Sequence, residues 1–124
     1  MNNPVHCRFI SIAEIQQTVA ATFCLSRADL LSRSRQQHVA CARHIAMYLS
    51  RELARPGENG DRGNPRASYP RIGMAFDRDH TSVMHACNSI ERKCRTDQRF
   101  ARLVDSIAIE VRNRAERSRG LAAA

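Results

Sequence analysis

The sequence predicts an all-α fold, a small helical domain built around a helix-turn-helix, and three observations carry that prediction. Apolar residues recur at spacings of three and four through most of the 124 positions, and no alternating pattern of a half-buried strand competes. Ser or Asp stands ahead of most of these periodic runs, where a side-chain oxygen can accept from orphan amides of a first helical turn. The one long break, residues 55–67, holds three glycines, two prolines and no large apolar residue. A chain of this length supports one core.

Taken in order, residues 1–10 are a lead-in and residues 11–117 the domain, with a flexible tail over 118–124. Ser11-Ile12-Ala13-Glu14 has the spacing of a capping box ahead of Ile12, Ile15, Val19 and Phe23, which predicts a helix over about 11–24. Ser26 caps one short turn through Leu31, with Leu30 and Leu31 inward, and Ser32 to Gln37 forms a basic loop. Val39, Ala42, Ala46, Leu49 and Leu53 lie on one stripe of a scaffold helix over about 37–54. Residues 55–67 read as a mobile surface linker that contributes nothing to a core. A helix-turn-helix then occupies 68–95: Ser68 caps a short helix with Ile72, Ala75 and Phe76 inward, Asp77-Arg78 turns, and Asp79 opens a second helix. A last helix over about 97–117 buries Phe100, Leu103, Val104, Ile107 and Val111.

Charge narrows the function. Basic residues outnumber acidic ones 20 to 12, and every base except Lys93 is arginine. The planar guanidinium forks onto phosphates and guanine edges, so this excess favours nucleic acid over a general solubilising surface. No apolar run approaches the roughly 20 residues that span a bilayer, and residues 1–8 lack the apolar stretch of a secretory signal. The five cysteines, an odd number without a Cys-x-x-Cys pair, read as buried thiols of a reducing compartment. A cytoplasmic, nucleoid-associated protein with no membrane partner is expected.

The helix opening at Asp79 carries the chemistry. At about 100° per residue, Val83, Cys87, Ile90 and Cys94 share a narrow buried stripe, which leaves Thr81, His85, Asn88 and Arg92, flanked by Ser82 and Ser89, on the opposite face. A merely solvated helix more often carries Glu and Lys pairs four apart, whereas this face has hydrogen-bonding side chains of modest length and no acid. Its N-terminal end suits a major groove: the helix dipole favours phosphates, Asp79 can accept from a cytosine amine, and the Thr81 methyl can meet a thymine methyl. The bland alternative makes Asp79 an N-cap only, with Thr81 and Ser82 helping to satisfy the first turn.

At these residues, Arg78-Asp79-His80-Thr81-Ser82-Val83-Met84-His85-Ala86-Cys87, the sequence resembles the C-terminal DNA-binding domain of the bacterial replication initiator DnaA, whose pattern is R-D-H-T-T-V-L-H-A-C. The likeness runs back through Ala28 to Arg35 and Arg43 to Leu49, so it covers about residues 10–111. It implies a DnaA C-terminal, Trp-repressor-like fold that reads DnaA-box-like sites in double-stranded DNA. It implies major-groove contacts from Asp79, His80 and Ser82, with Thr81 and His85 on the same surface. It places Arg35 in the minor groove with Arg33 beside it, and it puts Arg43, Arg51, Tyr69 and Pro70 against phosphates. His44, Arg78 and Arg92 join that phosphate set. The chain departs from the family in a shorter turn at Phe76-Asp77-Arg78-Asp79, in Ala40-Cys41-Ala42-Arg43-His44 where the family has A-R-P-R-Q, and in the insertion at 55–67.

No enzyme is expected. Gly57, Gly60 and Gly63 are not followed by the lysine of a phosphate-binding loop, so no nucleotide partner and no ATPase are expected of these residues. His80, His85 and Cys87 lack the spacing of a metal site, and no metal or other cofactor is expected. The expected function is sequence-specific DNA binding in replication initiation or its regulation. The alternatives are a transcriptional regulator of unrelated sites, or an interaction module for full-length DnaA or other replication proteins.

Overall fold

The computed structural model describes residues 10–54 and 67–123, with side chains to Ser118. Six helices follow one another: α1 (Ile12–Thr22), α2 (Arg27–Leu31), α3 (Gln37–Leu53), α4 (Tyr69–Phe76), α5 (His80–Thr96) and α6 (Gln98–Ala123). No strand occurs among the described residues. The lead-in before Ile10 and the expected linker up to Arg66 lie outside them.

Local sequence accounts for the helix starts. Ser11 and Glu14 form the full reciprocal capping box, the Ser11 hydroxyl accepting from Glu14 N at 3.1 Å and the Glu14 carboxylate from Ser11 N at 2.8 Å. Ser26 and Asp29 repeat the device at α2. Ser68 caps α4 by accepting from Arg71 N, and Pro70 sits in the first turn, where its missing amide costs nothing. The helix therefore stops before Asp77, which turns the chain in the left-handed region at φ 56° and ψ 49°.

The core is shared by all six helices, α2 giving it Leu30. Ile15 and Val19 of α1, Ala42, Ile45, Ala46 and Leu49 of α3, Ile72 and Phe76 of α4, Val83, Cys87 and Ile90 of α5, and Val104, Ile107 and Val111 of α6 form one buried cluster. α3 is the central scaffold, since it packs on α1, α2, α4, α5 and α6. The buried stripe of α5 is the expected one with Ala86 added and Cys94 at its edge.

Four expectations are corrected. Ala67, read as the end of a coreless linker, is fully buried, because it delivers the chain into α4 beneath Arg51. Leu103 is 38 % exposed, since the buried stripe of α6 passes through Phe100, Val104, Ile107 and Val111 and Leu103 lies at its margin. Cys24 is exposed rather than buried; it follows the C-cap of α1 with φ 58°, a turn position that faces outward. The last helix continues through the residues read as a tail, to Ala123, because nothing after Arg117 except Gly120 opposes a helix.

Two contacts fix the helix-turn-helix, one to α1 and one within its own turn. Gln16 of α1, with no exposed surface, donates to the Ala75 carbonyl of α4 at 3.1 Å and accepts from Arg27 of α2 at 2.8 Å. Gly73 lets the chain after α4 fold back: Arg78 N donates to the Gly73 carbonyl at 2.8 Å, and a Cβ on Gly73 would stand 2.4 Å from the Arg78 carbonyl oxygen.

Candidate nucleic-acid interface

The short α4, the turn at Asp77 and Arg78, and the longer α5 make the helix-turn-helix, with the basic loop between α2 and α3 beside its turn. Arginines join loop and turn. Arg43, on α3, is 5 % exposed and donates from Nε to the Leu30 carbonyl at 2.9 Å and from Nη2 to the carbonyls of Ser32 at 2.7 Å and Ser34 at 3.2 Å. Arg78 donates from Nη2 to the same Ser32 carbonyl at 2.8 Å and from Nη1 to the Phe76 carbonyl at 3.0 Å. The Ser32 carbonyl thus accepts from both the scaffold and the residue just before Asp79, which makes the basic loop and the start of α5 one unit.

Arg43, expected against a phosphate, thus has its Nε engaged by the carbonyl of Leu30 at the end of α2 and its Nη2 by those of Ser32 and Ser34 in the loop. Burial, then the charges of Arg78 and Arg33, push its guanidinium below the usual arginine range. Arg51 is likewise engaged, donating from Nη1 to the Ala67 carbonyl at 2.6 Å and lying 4.4 Å from the centre of the Tyr69 ring. Arg51 and Tyr69 therefore brace the start of α4. Pro70 beside them is exposed.

The remaining site residues face outward. Arg33 is exposed and pairs with the exposed carboxylate of Asp77 at 3.0 Å. Arg35 is exposed and makes no hydrogen bond or ion pair with the described residues. His80, Ser82, His85 and Arg92 are exposed along α5, and Thr81 is half-buried. Asp79 occupies the N-cap position of α5 without a side-chain cap hydrogen bond; its carboxylate instead accepts from the Thr81 hydroxyl. That hydroxyl, above all, holds the Asp79 carboxyl below the usual carboxylate range, so Asp79 is an anion with acceptor capacity left for a ligand.

Two open clefts flank the junction. One, of about 620 Å³, is lined by Arg33, Pro70, Met74, Asp77, Asp79 and His80 among others. The second, of about 580 Å³, lies between loop and α5 and is lined by Arg33, Ser34, Arg35, Arg43, His44 and Ser82 among others. His44 is half-buried there, and burial first, then Arg43 and Arg78, lower its pKa, which keeps the imidazole neutral at pH 7. Gly73, Gln16 and Ala67 support this face, and the sequence reading missed all three. For Gly73 the signal was present, a lone glycine inside a helical pattern.

A helix-turn-helix whose second helix presents polar side chains at its N-terminus, beside an arginine loop, defines the class: a helix-turn-helix DNA-binding domain. Residues 12–90 match the family described as bacterial dnaA protein helix-turn-helix, and the chain belongs to that family. It is similar to the chromosomal replication initiator protein DnaA of Symbiobacterium thermophilum, 37 % identical over 110 residues, which cover 88 % of this chain and 22 % of that protein. The DnaA of Lactobacillus delbrueckii subsp. bulgaricus is 40 % identical over 101 residues, 81 % of this chain and 20 % of its own length. That of Methylobacillus flagellatus is 41 % identical over 99 residues, 79 % and 19 % respectively. The chain therefore spans about a fifth of the length of these curated relatives.

Proposed function

We propose that this domain binds double-stranded DNA at DnaA-box-like sites, reading the major groove with the N-terminal turns of α5 and the adjacent minor groove with the basic loop. The observation that carries the reading is the shared Ser32 carbonyl, which fixes the loop bearing Arg35 to the residue preceding Asp79. A rigid offset between the two elements is what simultaneous engagement of neighbouring grooves requires.

The division of labour follows from what each side chain touches. Asp79, His80 and Ser82, with Thr81 and His85 beside them, present donors and acceptors to base edges. Arg35, without a partner among the described residues, enters the minor groove, where a narrow A·T-rich stretch concentrates negative potential. Arg33, His44, Pro70, Tyr69 and Arg92 border phosphates. Arg43, Arg51 and Arg78 act mainly through the backbone they hold. The kinship with initiator proteins supports a role for this binding in replication initiation or its control, and partners among replication proteins, full-length DnaA included, fit that setting. A nucleoid-associated site of action in the cytoplasm follows from the same reading.

Fluorescence anisotropy with a duplex carrying a DnaA box, against a scrambled duplex of equal composition at two salt concentrations, tests the proposal. The box should bind at least tenfold tighter at both, while both affinities fall as salt rises. Equal affinity for the two duplexes would overturn it. Affinity insensitive to salt would point instead to a packed protein interface as the function of this face.

A further inference from the structure

The arginines of the reading face are largely engaged within the chain, but those at the elbow between α5 and α6 are not. Residues 93–102, beyond Arg92, carry four cations, Lys93, Arg95, Arg99 and Arg102, against one acid, Asp97, a net +3 out of +8 for the whole chain. All four are exposed, and none forms an ion pair with the described residues. The single acid is occupied: the Asp97 carboxylate accepts from the amides of Arg99 at 3.0 Å and Phe100 at 3.1 Å, capping α6. Glu91 and Asp105 flank the cluster, are exposed, and reach none of these cations.

Such crowding works against the fold. Arg92 and Arg95 are three apart on α5, and Arg99 and Arg102 three apart on α6, spacings at which like charges destabilise a helix. Arg114 and Arg117 further along α6, by contrast, share Glu110. Lys93 and Arg95 complement the dipole of the last turn of α5, and the Lys93 ammonium lies 4.5 Å over the ring of Phe100, but Arg99 and Arg102, at the start of α6, have no such use in the fold.

We propose that this elbow binds the phosphate backbone of a second DNA duplex, so that the domain bridges two DNA segments. The proposal rests on the reading of α5 given above. With the N-terminus of α5 in a groove, Arg95 stands fifteen residues further along, about 22 Å at the rise of an α-helix. With α5 entering N-terminus first, a groove only about 8.5 Å deep leaves Arg95, Arg99 and Arg102 beyond the edge of the first duplex that Arg92 borders. Guanidinium forks suit phosphates. A protein interface would need an apolar centre, and no large apolar side chain among residues 93–102 is exposed; Leu103, 38 % exposed, stands at the border and Ile109, 54 % exposed, further along α6. A membrane surface would need bulky apolar side chains that this elbow lacks, Phe100 being buried.

The test uses the full chain on an immobilised box duplex and measures capture of a fluorescent duplex without a box. The wild type should capture it, with capture falling steeply as salt rises. The triple variant R95Q/R99Q/R102Q should lose capture at least tenfold while its affinity for a single box duplex stays within twofold and its melting temperature is kept. Box binding without capture by the wild type would overturn the elbow site alone. Equal capture by the triple variant would overturn it too, since bridging would then come from self-association. Capture with no preference for the box would leave the elbow standing and overturn the reading of α5. Preferential capture of polyglutamate over duplex would assign the elbow to an acidic protein and overturn the proposal.

Discussion

The junction of basic loop and turn, and the outward face of α5 with the loop tip, use the same polar chemistry in opposite ways. At the junction Arg43 and Arg78 point at carbonyls of the chain itself, and both meet Ser32. At the loop tip and on α5, Arg35, His80, Ser82 and His85 are exposed and committed to nothing internal except the contact of His80 with Asp79. One set fixes the spacing between the loop and α5, and the other set is, on the function proposed above, left to read DNA. Counting arginines therefore misjudges the interface; what matters is where each guanidinium already donates.

That contrast breaks most completely at Gly73. Gly73→Ala forces a Cβ to within 2.4 Å of the Arg78 carbonyl, a backbone atom that cannot swing aside. It should cost about 1–3 kcal/mol as an overpacking defect, and it should also weaken box binding, read by thermal melting and anisotropy on one preparation. A variant with native melting temperature and native affinity would mean the turn is not fixed by this contact.

Arg43→Gln comes next. It leaves the Leu30 and Ser34 carbonyls without their arginine donor, while Ser32 keeps Arg78, with a loss of about 1–3 kcal/mol, whereas Arg35→Ala should leave the melting temperature unchanged. If both variants melt alike, the division between holding and reading arginines fails. Smaller again is Asp77→Asn, which keeps a residue tolerant of the left-handed turn but removes the carboxylate that holds Arg33. Affinity for box and scrambled duplexes alike should rise a few-fold at low salt. An unchanged affinity would show that Arg33 does not meet phosphate.

The smallest effect is on pH. His44 titrates lower in the folded chain than in the unfolded one, because burial and the charges of Arg43 and Arg78 oppose its protonation. Below the ordinary value of 6.5 the unfolded chain takes up the proton first, so stability is fully present above that value and declines as pH falls through the folded value. Melting temperature should drop on acidification, and less so in His44→Gln; equal drops in both would remove His44 from the account.

Much of this was legible because local rules govern it. The capping box at Ser11, the short helix after Ser26, the scaffold stripe through Ala42, Ala46 and Leu49, and the buried stripe of α5 all follow from helical period and cap chemistry. What escaped depends on contacts distant in sequence. Gln16 reaches across 59 positions to Ala75, and nothing in its own neighbourhood marks it as buried. Arg43 looks like any surface arginine until α2 and the loop close over it. Ala67 borders a Gly- and Pro-rich stretch, and its burial is imposed by Arg51 above it. The exposure of Leu103 turns on one position of helical phase, too fine for a pattern of threes and fours. The turn at Asp77 was read as tight, but its left-handed backbone, which lets a shorter segment connect α4 and α5, was not.

The central claim is that the loop tip and the first turn of α5 read one site together, and the affinity ratio of box to scrambled duplex tests it most directly. Arg35→Ala and His80→Ala should each lower that ratio about tenfold, in line with roughly 1–3 kcal/mol per good base contact, while binding to the scrambled duplex changes little. A ratio left unchanged by both substitutions would contradict the account.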